Sequence, residues 1–199
     1  MSGTSERFDV VVVGSGPAGQ KAAIQVAKAG QRVVLIERGQ TVGGECVHGG
    51  TIPSKTLRET AAFLSGLRTR SGGVIDPALA PGTKLESLMK RQAEVCTEHE
   101  RCVADQLERN SVALWRGHAR FVSPTTIQVT ALDTTRRQVE GRAIILATGS
   151  RPRLPADVPV DHENILDSDS ILSLIYLPAS LTVLGAGADG GEAGLCSRS

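Results

Sequence analysis

Aromatic side chains are scarce: three Phe, one Tyr and one Trp make up 3% of the 199 residues. A core built on stacked rings is therefore excluded, and the apolar 40% must pack mainly as aliphatic side chains. Long hydrophobic runs are also missing. None approaches the ~20 residues a membrane helix needs, and the opening Met-Ser-Gly-Thr-Ser-Glu-Arg has no apolar stretch of signal-peptide length. Neither sign of charge prevails, with 22 Lys and Arg against 21 Asp and Glu and no block of like charge. That argues against a nucleic-acid or membrane partner. The four cysteines, Cys46, Cys96, Cys102 and Cys196, form no C-x-x-C pair and do not cluster with histidine. They suit reduced thiols in a cytoplasmic protein, not a disulfide framework or a metal site.

Glycine, by contrast, is plentiful, and much of it sits where apolar runs end. Phe8–Val13 is a short β-branched run that suits a central parallel strand buried on both faces. It breaks at Gly14-Ser15-Gly16-Pro17-Ala18-Gly19, and Gln20–Ala29 then reads as a helix closed by Gly30. Arg32–Ile36 gives a second buried strand ending in Glu37, which completes a β-α-β unit of about 30 residues. Pro53 opens a helix reaching about Leu67, and the Gly- and Pro-rich Ser71–Gly82 reads as a loop. From Lys84 to Arg109 apolar residues recur at helical spacing, which makes Cys96 and Cys102 small core-facing residues. Val112–Trp115, Thr126–Val129 and Gln138–Val139 read as an antiparallel meander covering a larger domain. Ile144–Leu146 gives a third buried strand, Arg151–Pro159 a linker, and Leu181–Leu184 a last strand running into Gly185.

Gly14-x-Gly16-x-x-Gly19 follows a strand and opens a helix, the context in which this spacing carries meaning. Gly14 permits the tight turn, Gly16 lets a pyrophosphate approach the backbone, and Gly19 allows close helix–strand packing. The helix start offers unpaired N–H groups to phosphate oxygens. Glu37, about 20 residues on, can accept hydrogen bonds from a ribose diol and would repel a 2′-phosphate, favouring FAD or NAD over NADP here.

Several segments together resemble one family. Gly14 to Gly19, Glu37-Arg38, Gly43-Gly44-x-Cys46, Ile52-Pro53-Ser54-Lys55 and Ala147-Thr148-Gly149-Ser150 are similar, in order and spacing, to the FAD domain of the pyridine nucleotide-disulfide oxidoreductases. Cys46 with Thr51, His48, Gly149-Ser150-Arg151-Pro152 and Asp167-Ser168-Asp169-Ser170-Ile171-Leu172 most resemble the soluble pyridine nucleotide transhydrogenases within it. The resemblance implies an α/β fold: a Rossmann-like FAD-binding domain with parallel sheet, crossover meander and helices, and only the start of a second nucleotide-binding domain. It places the FAD-binding domain at residues 1–150, a linker at 151–180 and the start of an NAD(P)-binding domain at 181–199.

It also implies roles. Glu37, Arg38, Thr41, Gly43, Gly44, Glu45 and Cys46 line the FAD together with Gly14, Gly16, Pro17, Ala18 and Gly19. Gly117-His118-Ala119 meets the adenine end, and Ala147, Thr148, Gly149 and Ser150 lie over the flavin. Cys46 is a lone thiol near the flavin, and Lys55 a counter-charge for its reduced form. For His48 and His118 a packing or solvent-facing role is at least as good a reading as a proton role. Where the family's second redox cysteine would stand there is Thr51, whose hydroxyl cannot close a disulfide with Cys46. The implied chemistry is direct hydride traffic between flavin and the nicotinamide nucleotides, NAD(P)H being a substrate. The alternatives are an FAD-binding remnant without turnover, or a disulfide reductase of the dihydrolipoamide dehydrogenase or mercuric reductase kind.

Gly185, Gly187, Gly190 and Glu192 are similar to the start of the family's NAD(P) domain, with Glu192 near the nicotinamide ribose. Asp189 departs from the apolar residue expected there, and the 19 residues from Leu181 to Ser199 fall short of the ~30 of a full β-α-β unit. The expectation is a truncated chain without the dimerisation domain that makes full-length relatives homo-oligomeric.

Overall fold

The computed structural model describes residues 5–70, 85–174, 176, 178 and 180–185. The chain divides into two compact units, Met1–Cys46 with Glu98–Ser150 and Val47–Thr97 with Arg151–Ser199. The first holds a six-stranded sheet in the order β3-β2-β1-β6-β5-β4. Its strands are β1 (Glu6–Val13), β2 (Val33–Glu37), β3 (Ala113–Arg116), β4 (His118–Ser123), β5 (Thr126–Thr130) and β6 (Arg136–Leu146). β1 runs parallel to β2 and β6, and β2 parallel to β3, whereas β4, β5 and β6 are antiparallel neighbours. This is the α/β, Rossmann-like class that the glycine motif and strand pattern imply.

The continuous aliphatic runs have a simple cause. Successive side chains of a strand point to opposite faces, so a strand covered on both sides needs apolar residues at every position. Val10, Val12, Val33 and Leu35 pack with Ala23 and Ile24 of α1 (Pro17–Lys28) and with Val103 and Leu107 of α4 (Leu85–Arg109). Val11, Val34 and Ile36 pack on the other face with Trp115, Ile127, Val129 and Val139. The sheet's own continuation thus covers its second face. Phe8 meets Trp115 edge-on at 6.0 Å, and the Arg137 guanidinium lies 3.9 Å above the Trp115 ring while donating to Glu6.

One strand makes that cover possible. β6 begins in the meander against β5 and ends parallel to β1. At Gly141 a Cβ would stand 2.8 Å from Cγ2 of Val11 and 2.9 Å from the Ala143 carbonyl oxygen, so the crossing passes where there is no side chain. Gln138–Val139 and Ile144–Leu146 are therefore parts of one strand, whose register against β1 is unbroken across Gly141-Arg142. Its end is not buried as expected, since Ile144 and Ile145 are half-buried and Leu146 is exposed. Val112–Trp115 is not a meander strand either. Its register, Val34↔Ala113 to Glu37↔Arg116, makes β3 the parallel edge of the core, reached through α4. β4 was not expected, because its exposed, weakly alternating sequence carries little apolar signal.

The second unit contains α3 (Thr51–Arg70), part of α4, and the segment after Arg151. α3 begins two residues before Pro53, since proline is tolerated in the first turn, where its missing N–H would have no partner. A short α2 (Gly44–His48) precedes it. Asp161 accepts backbone N–H bonds from Glu163, Asn164 and Ile165 at 2.8–2.9 Å, and Asp167 Oδ1 accepts the Ser170 N–H at 2.8 Å, where a 3₁₀ turn, Ser170–Ser173, begins. The loop expected at Ser71–Gly82 lies outside the described residues. Leu181–Leu184 is not in a strand, because a strand exists by the ladder it joins and no described segment pairs with it.

On α4 the buried positions Gln92, Val103 and Leu107 follow helical spacing. Cys96 is half-buried on that stripe, but Cys102 lies one residue off it and is exposed, so only the first of the two fits a core-facing role. Among the described residues, no helix is long and apolar enough to cross a membrane, and no group of three His, Cys, Asp or Glu could hold a metal ion.

Candidate functional site

The carboxyl ends of β1, β2 and β6 are held level by two backbone bonds, Gly14 N–H to the Ile36 carbonyl and Ala147 N–H to the Val13 carbonyl, both 2.8 Å. Gly14 turns away with φ +102°, a conformation that disfavours any side chain. A Cβ there would run into the Ala147 carbonyl, and one at Gly19 into the Gly14 carbonyl oxygen. Strand, helix and the end of β6 therefore meet with no room for a methyl group. Gly16 is the opposite case: nothing lies within 4 Å of where its Cβ would be.

Gly16 caps α1 with extended backbone, Pro17 occupies the first turn, no side chain caps the helix and no acidic residue stands in its first turn. The first N–H groups and the positive end of the helix dipole thus face open space beside Gly16, the arrangement that receives an anionic oxygen.

Ser15, fully buried, organises the neighbouring groups. Its N–H and its hydroxyl both donate to Oε2 of Glu37, at 2.8 and 2.6 Å. Oε1 of Glu37 accepts from Gly39 N–H at 2.8 Å. Burial pushes the Glu37 carboxyl up, but the Gly39 and Ser15 donors and the Arg116 charge outweigh it and hold the group below its ordinary value. Arg116, which ends β3, donates to the Gly39 carbonyl at 3.2 Å and so fixes the turn after β2. Gly43 N–H reaches both the hydroxyl and the carbonyl of Ser15 at 3.2 Å, and a Cβ on Gly44 would stand 2.8 Å from the Gly16 Cα. The two glycine loops are packed backbone to backbone.

Of the other sequence-predicted residues, Arg38, Thr41 and Glu45 are exposed around this loop pair, and Cys46 is half-buried on α2. Gly117 N–H donates to the Glu37 carbonyl at 2.8 Å, which ties the β3–β4 turn to the carboxylate's own residue. His118 and Ala119 are not in that turn but begin β4, paired with Thr130 and Val129, and His118 is exposed. Ala147 is half-buried, while Thr148, Gly149 and Ser150 are exposed beyond β6. A shallow cavity of about 260 Å³, mostly apolar but with Arg120 and Thr148 in its wall beside Val13, Ala119, Ile127 and Leu146, opens at the ends of β1 and β6. Lys55 and Thr51 belong to the second unit, both exposed on α3, and His48 is exposed at the end of α2. Gly185 is described, with φ +113°; Gly187, Gly190 and Glu192 lie outside the described residues. Sequence reasoning missed Ser15 and Arg116. Neither lies at a glycine or acidic position of the motif, and their partners are 22 to 77 residues away.

Residues 8–198 match the pyridine nucleotide-disulphide oxidoreductase family. The chain is 46% identical over 188 residues to the soluble pyridine nucleotide transhydrogenase of Mycobacterium tuberculosis (strain ATCC 25177 / H37Ra), covering 93% of this chain and 40% of that protein. The enzyme of the same name from Hahella chejuensis is 38% identical over 192 residues, with 94% and 40% covered. Among solved structures, the Cu(II) complex of the HOCl-induced flavoprotein disulfide reductase RclA from Escherichia coli superposes with a TM-score of 0.80 at 27% identity, over 96% of this chain and 40% of that one. LpdA from Mycobacterium tuberculosis does so with a TM-score of 0.73 at 26% identity, over 87% and 38%. The chain spans about two fifths of the length of the curated relatives it matches.

Proposed function

Since the chain belongs to the pyridine nucleotide-disulphide oxidoreductase family, we propose that its first unit binds FAD and serves hydride transfer between NAD(H) and NADP(H) without a redox disulfide. The observation that carries the cofactor reading is the uncapped start of α1, open at Gly16, beside a carboxylate held ionised at the end of β2. The donor set fits a dinucleotide. Backbone N–H groups of Ala18 and Gly19 face its phosphates, and Glu37 Oε1, with one acceptor position beyond Gly39, takes a ribose hydroxyl. Arg38, Thr41, Gly43, Gly44 and Glu45 line the same cofactor, Gly117, His118 and Ala119 its adenine end, and Ala147 to Ser150 its flavin end.

Bound there, FAD supplies two-electron hydride acceptance and donation. The chain's own residues set what else can happen. Cys46 offers one thiol and Thr51 no second, so electrons have no dithiol to enter. Lys55 supplies positive charge toward reduced flavin, and Gly185, Gly187, Gly190 and Glu192 serve the nicotinamide nucleotide. The transhydrogenase name of relatives up to 46% identical supports this reading over the disulfide-reductase title of the 27% identical neighbour.

A visible spectrum of the purified chain with added FAD, followed by anaerobic NADH, tests it. Bound flavin that bleaches supports the enzyme. Bound flavin that does not bleach identifies an FAD-holding module without turnover. No bound flavin refutes the cofactor assignment for this chain. In a full-length relative, Thr51→Cys is expected to create a charge-transfer band with FAD, and its absence rejects Cys46 as the flavin's neighbour.

A further inference from the structure

We propose that Ser15 is a positioning residue: it orients the Glu37 carboxylate toward a dinucleotide's ribose and ties it to the second glycine loop at Gly43. This rests on the FAD reading above and adds a residue that the glycine fingerprint leaves as a free position. Ser15 is fully buried, yet every polar group it owns is engaged. Its N–H and hydroxyl both point at Oε2 of Glu37, while its hydroxyl oxygen and its carbonyl receive Gly43 N–H. Oε2 is thus saturated by protein donors, and Oε1, with Gly39 alone, is the oxygen left with capacity for a ligand. An alanine in place of Ser15 keeps the N–H bond but frees the carboxylate to rotate and removes one of the two acceptors of Gly43.

The role differs from simple packing in a measurable way. The hydroxyl donates to the ionised form of Glu37, so removing it moves protonation of that carboxylate to higher pH. The charged group acting on Glu37 from a neighbouring element is Arg116 on β3; Arg38 is adjacent in sequence and exposed, and the β1–α1 and β2–α2 loops present Ser15 and Gly39.

The test is FAD affinity of the full 199-residue chain, read by flavin fluorescence from about pH 3 to 8, for wild type, Ser15→Ala, Ser15→Thr, Glu37→Gln and the Ser15→Ala/Glu37→Gln double variant. Ser15→Ala is expected to bind about tenfold more weakly, with its acid limb displaced to higher pH, and Ser15→Thr to restore both. In the Glu37→Gln background the serine substitution is expected to cost much less than in wild type. Equal FAD affinity for Ser15→Ala and wild type, an unmoved acid limb, or strictly additive losses each overturn the proposal while leaving the FAD reading intact. Wild type without FAD affinity overturns both. Should Ser15→Ala lose its fold, Ser15→Cys keeps the side-chain volume while replacing the hydroxyl with a weak thiol donor, and is read the same way.

Discussion

Replacing Glu37 by alanine isolates the structural cost of the site from its ligand. The carboxylate accepts three bonds, two from buried Ser15 and one from Gly39, and neutralises the nearby Arg116. Each buried donor left without an acceptor costs about 1–3 kcal/mol, and water entering the vacated space recovers part of that for Gly39. A net loss of about 3 kcal/mol is expected, equivalent to a fall in Tm of about 10 °C for a chain of this size. Glu37→Gln keeps one oxygen for Ser15 and turns its amide toward the half-exposed Gly39, so about 1 kcal/mol is expected. Trp115, the single tryptophan, sits one residue before Arg116 and reports unfolding of this region by fluorescence in urea. Acid sharpens the test. Because the folded pKa of Glu37 is depressed, its contribution is fully present above the ordinary value of 4.5 and is lost as pH falls through the folded value. The gap between wild type and Glu37→Gln should therefore close in acid. An alanine variant that unfolds at the wild-type midpoint refutes the claim that these bonds stabilise the loops.

Gly19→Ala is expected to destabilise by about 3 kcal/mol or prevent folding, because its methyl group would drive into the Gly14 carbonyl, and urea unfolding measures this. Trp115→Ala should cost about 4 kcal/mol through the cavity left among Val11, Val34 and Val129, whereas Trp115→Phe should cost markedly less in the same circular-dichroism melt. Alkylation by iodoacetamide at mildly alkaline pH, followed by peptide mass spectrometry, should label exposed Cys102 well before Cys96, whose thiol burial pushes up. Equal rates would reject the assigned orientation of α4.

What could be read from the sequence tracks how local each cause is. β1 and β2 were legible because two-sided burial forces an unbroken aliphatic run, and Phe8–Val13 and Arg32–Ile36 fall within two residues of the strands found. Helices α1 and α4 announced themselves through periodicity, and Gly30, with φ +73°, ends the first as its position suggested. β6 hid because its two halves have different partners. Gly141-Arg142 looks like a strand break until Val11 is seen to need the space a side chain would fill. β3 is not legible as a core strand, since four residues, Ala113–Arg116, say nothing about which neighbour they pair with. Leu181–Leu184 has a strand's composition but no described partner, and composition alone does not make a ladder.

The site divides along the same line. A glycine where a Cβ would strike a carbonyl admits few explanations, so Gly14 and Gly19 carry their meaning in the sequence itself. Glu37 is readable for a related reason: a carboxylate closing a buried strand must find donors, and the turns at Ser15 and Gly39 supply them. Ser15 has no such signature. A serine at the end of a strand is compatible with a turn, a cap or plain solvent, and only the fold brings Glu37 and Gly43, 22 and 28 residues away, onto its one hydroxyl. Arg116 is stranger still to the sequence, since its acceptor, the Gly39 carbonyl, lies 77 residues back and is reached because β3 pairs in parallel with β2. The fingerprint therefore marks where a dinucleotide can come close. The residues that decide how firmly its ribose is held are fixed by strand order, and strand order is what four-residue segments leave unstated.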